Sequence, residues 1–248
     1  MAQTTRLLVD PAMGAAANMA RDQALLDAAG AGAAPVLRFY RWSPAAISLG
    51  YFQPIDDWRR ESLSRLDLVR RPTGGGAILH DDELTYSLAV PADWPIVQHR
   101  PTRLYKLAHR AIRDTLNALG LDAPADFHPG PEQGNSRRGP FFCFARRHRM
   151  DLLIGGDKVV GSAQRRAAGA ILQHGSIILR RLPPQPCTGV NDHLAAPVTP
   201  AALIDAIAPA MARVLEVELV SSQYSDAELA GAAEHERRYG SDAWTNQR

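Results

Sequence analysis

Cysteine is scarce in this chain of 248 residues: only Cys143 and Cys187 are present. They form no CxxC and no other paired spacing. That excludes a disulfide scaffold and a structural zinc site built on cysteine, and it fits a reducing compartment. Surplus charge is also small, since 28 Lys and Arg against 26 Asp and Glu leave +2. Such a balance gives no argument for nucleic acid, so electrostatic recognition would need local clustering. No apolar run approaches the length of a membrane span. Arg21, Asp22 and Asp27 interrupt the alanine-rich N-terminus before a signal-peptide core forms. The expectation is a cytoplasmic protein that engages neither nucleic acid nor membrane.

Internal repeats, a regular βαβ alternation and a linker between two apolar patterns are likewise missing. Hydrophobic residues at 46% and charged residues at 22% are ordinary for a globular chain. The length allows one large domain or two small ones. Without a linker, the expectation is a single α+β domain, residues 1–248, with a mixed or antiparallel β-sheet flanked by helices.

Short strands are predicted at 6–9, 36–42 and 46–51, with Ser43-Pro44 as a turn between the last two. A helix is predicted from Asn18 to Ala29, its apolar side formed by Met19, Leu25 and Leu26 and its stop by Gly30. Strands at 67–71 and 84–90 flank a glycine-rich stretch. The clearest helix carries Leu104, Leu107, Ala108, Ala111, Ile112, Thr115 and Leu119 at three- and four-residue steps. Residues 122–140 read as a long surface loop near the site, or as partly disordered. A meander follows, with strands at 150–154, from Lys158, and at 170–179 around the turn Gly155-Gly156-Asp157. Thr199-Pro200 caps a helix that Pro209 is expected to kink. Ser225 to Glu228 is a capping box for a last helix.

The stretch Arg70-Arg71-Pro72-Thr73-Gly74-Gly75-Gly76-Ala77-Ile78-Leu79-His80-Asp81 organises the rest. A glycine triplet permits positive φ and lets a ligand approach the backbone amides. It is followed by no GK[ST] and has no GxGxxG spacing, so it is neither a P-loop nor a dinucleotide fingerprint. Two readings stand: a wall for a narrow, partly charged small molecule, or a tight turn beside two solvated arginines.

Cys143 lies in Phe141-Phe142-Cys143-Phe144, which suits an inert buried thiol. The following Arg146-Arg147-His148-Arg149 supplies positive charge, which favours a nucleophilic thiolate. Lys158, 15 residues on, begins a strand after a tight turn, and Gly161, Ser162 and Ala163 leave room beside it. A hairpin bringing Lys158 back to Cys143 would make a cysteine–lysine dyad. The basic run is either a solvated face or a docking patch for an acidic protein, extended by Arg165-Arg166. His80 and His174 read as satisfied core or rim histidines, and no His, Asp or Glu spacing argues for a metal.

These motifs together resemble the lipoate–protein ligase A and octanoyltransferase family, which shares its fold with the catalytic domain of biotin–protein ligases. The matching stretches are Arg70 to Asp81 with Leu84-Thr85-Tyr86-Ser87, Lys158-Val159-Val160-Gly161-Ser162-Ala163-Gln164, Leu37 to Trp42 with Ser48 to Gln53, Ile171 to Ser176, and Arg238 to Trp244. They run in order along nearly the whole chain. The place of Cys143 before the motif lysine is similar to the cysteine-dependent, ligase-like octanoyltransferases. That resemblance implies a cytoplasmic enzyme of lipoate biosynthesis that moves octanoyl from acyl carrier protein to a lysine of a lipoyl domain. Acceptors would be 2-oxoacid dehydrogenases or the glycine cleavage H protein, with no cofactor required. Cys143 and Lys158 would be catalytic. Arg71, Gly74, Gly75, Gly76, Ala77, Ile78, Leu79, His80, Gly161, Ser162 and Ala163 would bind substrate, with Ala77 to Leu79 lining an acyl tunnel. The alternatives are a lipoate ligase using ATP and Mg2+, octanoyl transfer between lipoyl domains, and a non-catalytic binder.

Overall fold

Among the residues described by the computed structural model (3–61, 63, 65–134 and 139–248) the chain alternates short strands with six helices. The first part comprises β1 (Gln3–Met13), α1 (Ala15–Gly30), β2 (Val36–Trp42), β3 (Ala46–Leu49), α2 (Ile55–Arg59), β4 (Asp67–Arg70), β5 (Ile78–His80) and β6 (Glu83–Pro91). Then come α3 (Arg103–Asn117), β7 (Ala125–Phe127), β8 (Leu152–Ile154), β9 (Asp157–Ala167) and β10 (Ala170–Ile178). The chain closes with α4 (Pro200–Leu215), β11 (Val217–Ser221), α5 (Asp226–Tyr239) and α6 (Asp242–Thr245).

Eight of these strands form one mixed sheet in the order β11-β1-β2-β6-β10-β9-β8-β7. β1 is parallel to both neighbours and the remaining pairs are antiparallel. A smaller sheet, β4-β3-β5, stands beside it. The expected α+β class with a mixed sheet and flanking helices is therefore observed.

Strand alternation divides the core between the two faces of the large sheet. Leu37 and Phe39 of β2 and Leu84, Tyr86 and Leu88 of β6 pack against Leu104, Ala108 and Ile112 of α3 and Ile207 and Met211 of α4. The opposite face carries α1, whose Leu25 and Leu26 meet Val36, Ala89 and Leu172.

That second face also buries charge. Arg38 Nη1 donates to Asp22 Oδ1 at 2.8 Å, and Tyr40, Ser87 and His174 donate to the same carboxylate at 2.8 to 3.0 Å. Burial would raise the Asp22 pKa, but the His174 hydrogen bond and the Arg38 charge hold it below its ordinary value. His174 Nε2 continues the network to Thr73 Oγ1 at 2.6 Å, so helix, sheet and glycine stretch are tied together.

Several boundaries differ from expectation. α1 begins at Ala15, and Asn18 is buried within it, donating to the carbonyls of Met13 and Arg41. Residues 122–140 include β7, which pairs with β8, while 135–138 lie outside the described residues. The strand expected from Met150 starts at Leu152. α4 continues through Pro209. The edge strand β11 and the short helices α2 and α6 have no counterpart in the sequence reading.

Candidate active site

The two arginines that lead into the glycines are buried, not solvated. Arg70 donates to the carbonyls of Gly50, Gln53 and Thr245. Arg71 Nη2 donates to Gly74 O and Gly76 O, each at 2.7 Å, and Nη1 donates to Ser48 O at 3.0 Å. The stretch is thus stapled internally, with Gly75 at φ +99° where only glycine is unstrained. Burial pushes the Arg71 guanidinium down to about 10, partly opposed by the Cys143 sulfur.

Cys143 is brought to these glycines by backbone pairing. Ala77 N donates to Phe141 O at 2.8 Å, and Cys143 N donates to Ala77 O at 2.7 Å. The approach is close enough that a Cβ on Gly76 would lie 2.7 Å from Cys143 N. Phe142 and Phe144 are buried on either side of the cysteine, while Cys143 itself remains partly exposed. The phenylalanines that suggested an inert thiol therefore anchor a 3-10 turn, Cys143–Ala145, that presents it. Cys187 is the inert one: burial pushes its thiol up to about 11.

Lys158, at the start of β9, points inward and is 3% exposed. Its Nζ lies 3.8 Å from Cys143 Sγ, 3.4 Å from Cys143 O and 2.8 Å from Asp151 Oδ2. Gly161 leaves the space for this reach, since a Cβ there would meet Lys158 Cε at 2.5 Å. The dyad geometry expected from the sequence is present, but docking of the cysteine turn on the glycines delivers it as much as the hairpin. Asp151, just before β8, completes the group, a partner that the strand expected over 150–154 does not announce.

Two hollows meet at the sulfur. The inner one, about 50 Å³, is lined by Met19, Trp42, Ile78, His80, His174 and others. The outer one is an open cleft of about 930 Å³ whose walls include Arg100, Arg103, Lys106, Arg149 and Arg166. Gly75, Cys143, Ser162 and Ala163 belong to both.

Of the residues expected to bind substrate, Arg71, Gly75, Ile78, His80, Gly161, Ser162 and Ala163 line the inner cavity and Gly74 the cleft. Gly76 instead packs on the cysteine turn. Ala77 and Leu79 face away, into a cluster with Ile47, Leu49 and Phe142, because alternate strand residues point to opposite sides. They are not tunnel walls.

His80 is a satisfied core histidine. It is held at 2.7 Å by both Glu83 and Ser48 and stacked on Trp42, and burial lowers its pKa against the pull of Glu83. The basic run is not a contiguous docking patch. Arg146 is buried and donates to Pro140 O, and Arg147 donates to Phe144 O, so both brace the cysteine turn. Among those three arginines only Arg149 is exposed.

Beneath the cleft floor, His109 of α3 links Ser162 to the Met150 carbonyl, and Ser162 bonds Tyr86 at 2.7 Å. Among the described residues no cluster of three or more His, Cys, Asp and Glu could hold a metal ion. None of the described helices is long and apolar enough to cross a membrane.

Residues 14–211 match the lipoyl protein ligase A/B catalytic domain. The chain belongs to that family. The match runs from α1 into α4 and so includes the glycine stretch, Cys143, Asp151 and Lys158. The octanoyltransferase LipM of Brevibacillus brevis is 36% identical over 98% of this chain and 99% of its own. LipM of Kyrpidia tusciae is 33% identical over 98% of both. Among solved structures, a lipoate-protein ligase A bound with ATP superposes with a TM-score of 0.79 at 23% identity, covering 98% of this chain and 99% of that one. A bipartite lipoate protein ligase from Thermoplasma acidophilum gives 0.76 at 23%, covering 98% and 96%. At that identity the structural likeness establishes the lipoate ligase family's fold.

Proposed function

We propose that this protein is an octanoyltransferase of protein lipoylation that works through a thioester on Cys143. The observation that carries this reading is the position of the sulfur. It stands where a small inner cavity meets a larger open cleft, with an ammonium 3.8 Å away. The sequence similarity to octanoyltransferases over the whole chain supports it. Residues 1–248 act as one catalytic domain of the biotin and lipoate ligase type.

Octanoyl acyl carrier protein is the donor. The Cys143 thiolate, its charge offset by Lys158, attacks the carrier thioester carbonyl. The new S–C bond forms, the carrier's S–C bond breaks, and the departing carrier sulfur takes a proton from Lys158. The octanoyl chain lies in the inner cavity. A lipoyl-domain lysine amine then attacks the acyl-enzyme and gives a proton to the now neutral Lys158, and Cys143 leaves as thiolate. The starting ammonium–thiolate pair is regenerated. Backbone amides at Gly161 and Ser162 or in the glycine triplet are the candidate donors to the oxyanion. The donor thioester supplies the driving force, so ATP and Mg2+ are not consumed. Acceptors are lipoyl domains of 2-oxoacid dehydrogenases or the H protein, and the cytoplasm is where donor and acceptor meet.

Intact mass spectrometry after mixing with octanoyl carrier protein tests the reading. A gain of one octanoyl group is expected, and none in Cys143→Ala. ATP-dependent lipoylation retained by Cys143→Ala would instead identify a ligase.

A further inference from the structure

The chain's near-neutral balance hides a strongly one-sided cleft. Arg103 and Lys106 occupy one side of α3, Arg100 precedes that helix, Arg166 projects from β9 and Arg149 stands before β8. All five are exposed and line the outer cleft. Among the described residues none has a carboxylate within ion-pair distance, whereas Arg110 and Arg113 elsewhere on α3 are paired with Asp114 and Asp126. The single carboxylate among the cleft's described lining residues, Asp151, is already matched by Lys158. Five unpaired cations around one hollow exceed the surplus of +2 carried by the whole chain.

Cations gathered in a concavity focus a positive potential there and steer an anionic partner toward its floor. At this floor lies Cys143. Arginine also matches phosphate oxygens in a two-point fork, as a phosphodiester-linked arm would require. We propose that Arg100, Arg103, Lys106, Arg149 and Arg166 form the docking surface for the acidic carrier protein that donates the thioester. This rests on the transferase reading above. It also replaces the contiguous run 146–149 with a surface assembled from α3, β9 and the segment before β8.

The test compares Cys143 acylation rates, read by rapid quench and intact mass, from octanoyl carrier protein and from octanoyl-N-acetylcysteamine, which has neither phosphate nor protein. The ratio of the two second-order rate constants should fall by about tenfold or more in Arg103→Glu/Arg166→Glu, the lower end of electrostatic steering. Arg213→Glu/Arg237→Glu, with the same change in net charge on exposed helical positions outside the cleft, should keep the parental ratio. Added salt should lower the parental carrier rate and leave that of the cleft variant nearly flat. An equal ratio in the two variants overturns the proposal, as does a loss confined to transfer from preformed acyl-enzyme to lipoyl domain. A parent protein acylated by neither donor would overturn the transferase reading itself.

Discussion

Asp151 and Lys158 form a buried ion pair, carboxylate oxygen to ammonium nitrogen, at 2.8 Å. The same ammonium lies 3.8 Å from Cys143 Sγ, so the carboxylate sets where the charge beside the thiol sits. Asp151 is itself held, its Oδ2 accepting from His148 N at 2.8 Å. Together these contacts make Asp151 the residue that positions Lys158.

Asp151→Asn would leave the buried ammonium without its carboxylate partner at 2.8 Å. Breaking one side of such a pair costs roughly 3 kcal/mol of stability, and misplacing a proton-transfer group costs on the order of 10²-fold in rate. The melting temperature and the acylation rate constant should both drop, with partial recovery in Asp151→Glu. Because the two residues act as one unit, adding Asp151→Asn to Lys158→Met should slow acylation little further. Additive losses would show that Asp151 acts independently of Lys158.

Gly76 tests the docking of the cysteine turn. A Cβ there would come within 2.7 Å of Cys143 N and 2.8 Å of Phe141 O, the backbone atoms of the pairing with Ala77. Gly76→Ala should keep the fold yet displace the thiol, and a displacement of about 1 Å can slow a reaction by roughly 10²-fold. Acyl-enzyme formation followed by mass would show it. Gly14→Ala, with no atom within 4 Å of its added Cβ, is the control and should match the parent. A normal rate in Gly76→Ala would mean that the turn does not depend on this contact.

What could be read from the chain and what could not divide by the range of the interactions. β2 and the caps at Thr199 and Ser225 are written in local alternation and capping chemistry, and they stand where expected. β11 is specified by its parallel pairing with β1, more than 200 residues earlier, and no local pattern announces it. The same holds within the site. Glycine freedom and a lysine after a tight turn are local signals, so the bend at the glycines and the nearness of Lys158 to Cys143 were legible. Asp151 and His109 matter through what they touch across the fold. Asp22, which in the sequence merely breaks an apolar stretch, proves to be the buried centre of a network. Its one available signal was a charged residue one turn after Asn18 within an otherwise apolar helix face. Arg146 and Arg147 misled for the converse reason: their charge suggested solvent, and their hydrogen bonds lie with backbone carbonyls.

His109 gives the fold a pH dependence. Burial pushes its pKa down to about 4, against a pull upward from the Met150 carbonyl. In the unfolded chain the same group titrates near 6.5, so between these values the unfolded state binds more protons. Stability from this residue is therefore full above about pH 6.5 and is lost as the pH falls toward 4. The gap between these two values sets an upper bound of about 3 kcal/mol. His109→Gln should flatten that part of the stability curve, measured as melting temperature against pH for both proteins. Burial lowers His80 as well, so some slope of the same sign should remain in the variant. A parent-to-variant difference that stays constant across the window would contradict the assignment.

The inner cavity predicts how chain length is chosen. Ala163 lies on its wall and on that of the cleft, on β9, where a longer side chain would project into the space beside Cys143, Ile78 and Met19. Each substrate methylene excluded from an apolar seat forfeits about 0.8 kcal/mol, so two cost roughly tenfold. Ala163→Leu should lower acylation by octanoyl relative to hexanoyl by about that factor and disfavour decanoyl further. Competition among hexanoyl, octanoyl and decanoyl thioesters of N-acetylcysteamine, scored by intact mass of the acyl-enzyme, reads the preference directly. The small donors bypass carrier docking, so any change reports on the acyl seat alone. If the order of preference is unchanged while total acylation persists, the acyl chain does not lie against Ala163, and its seat must be sought along another wall of the site.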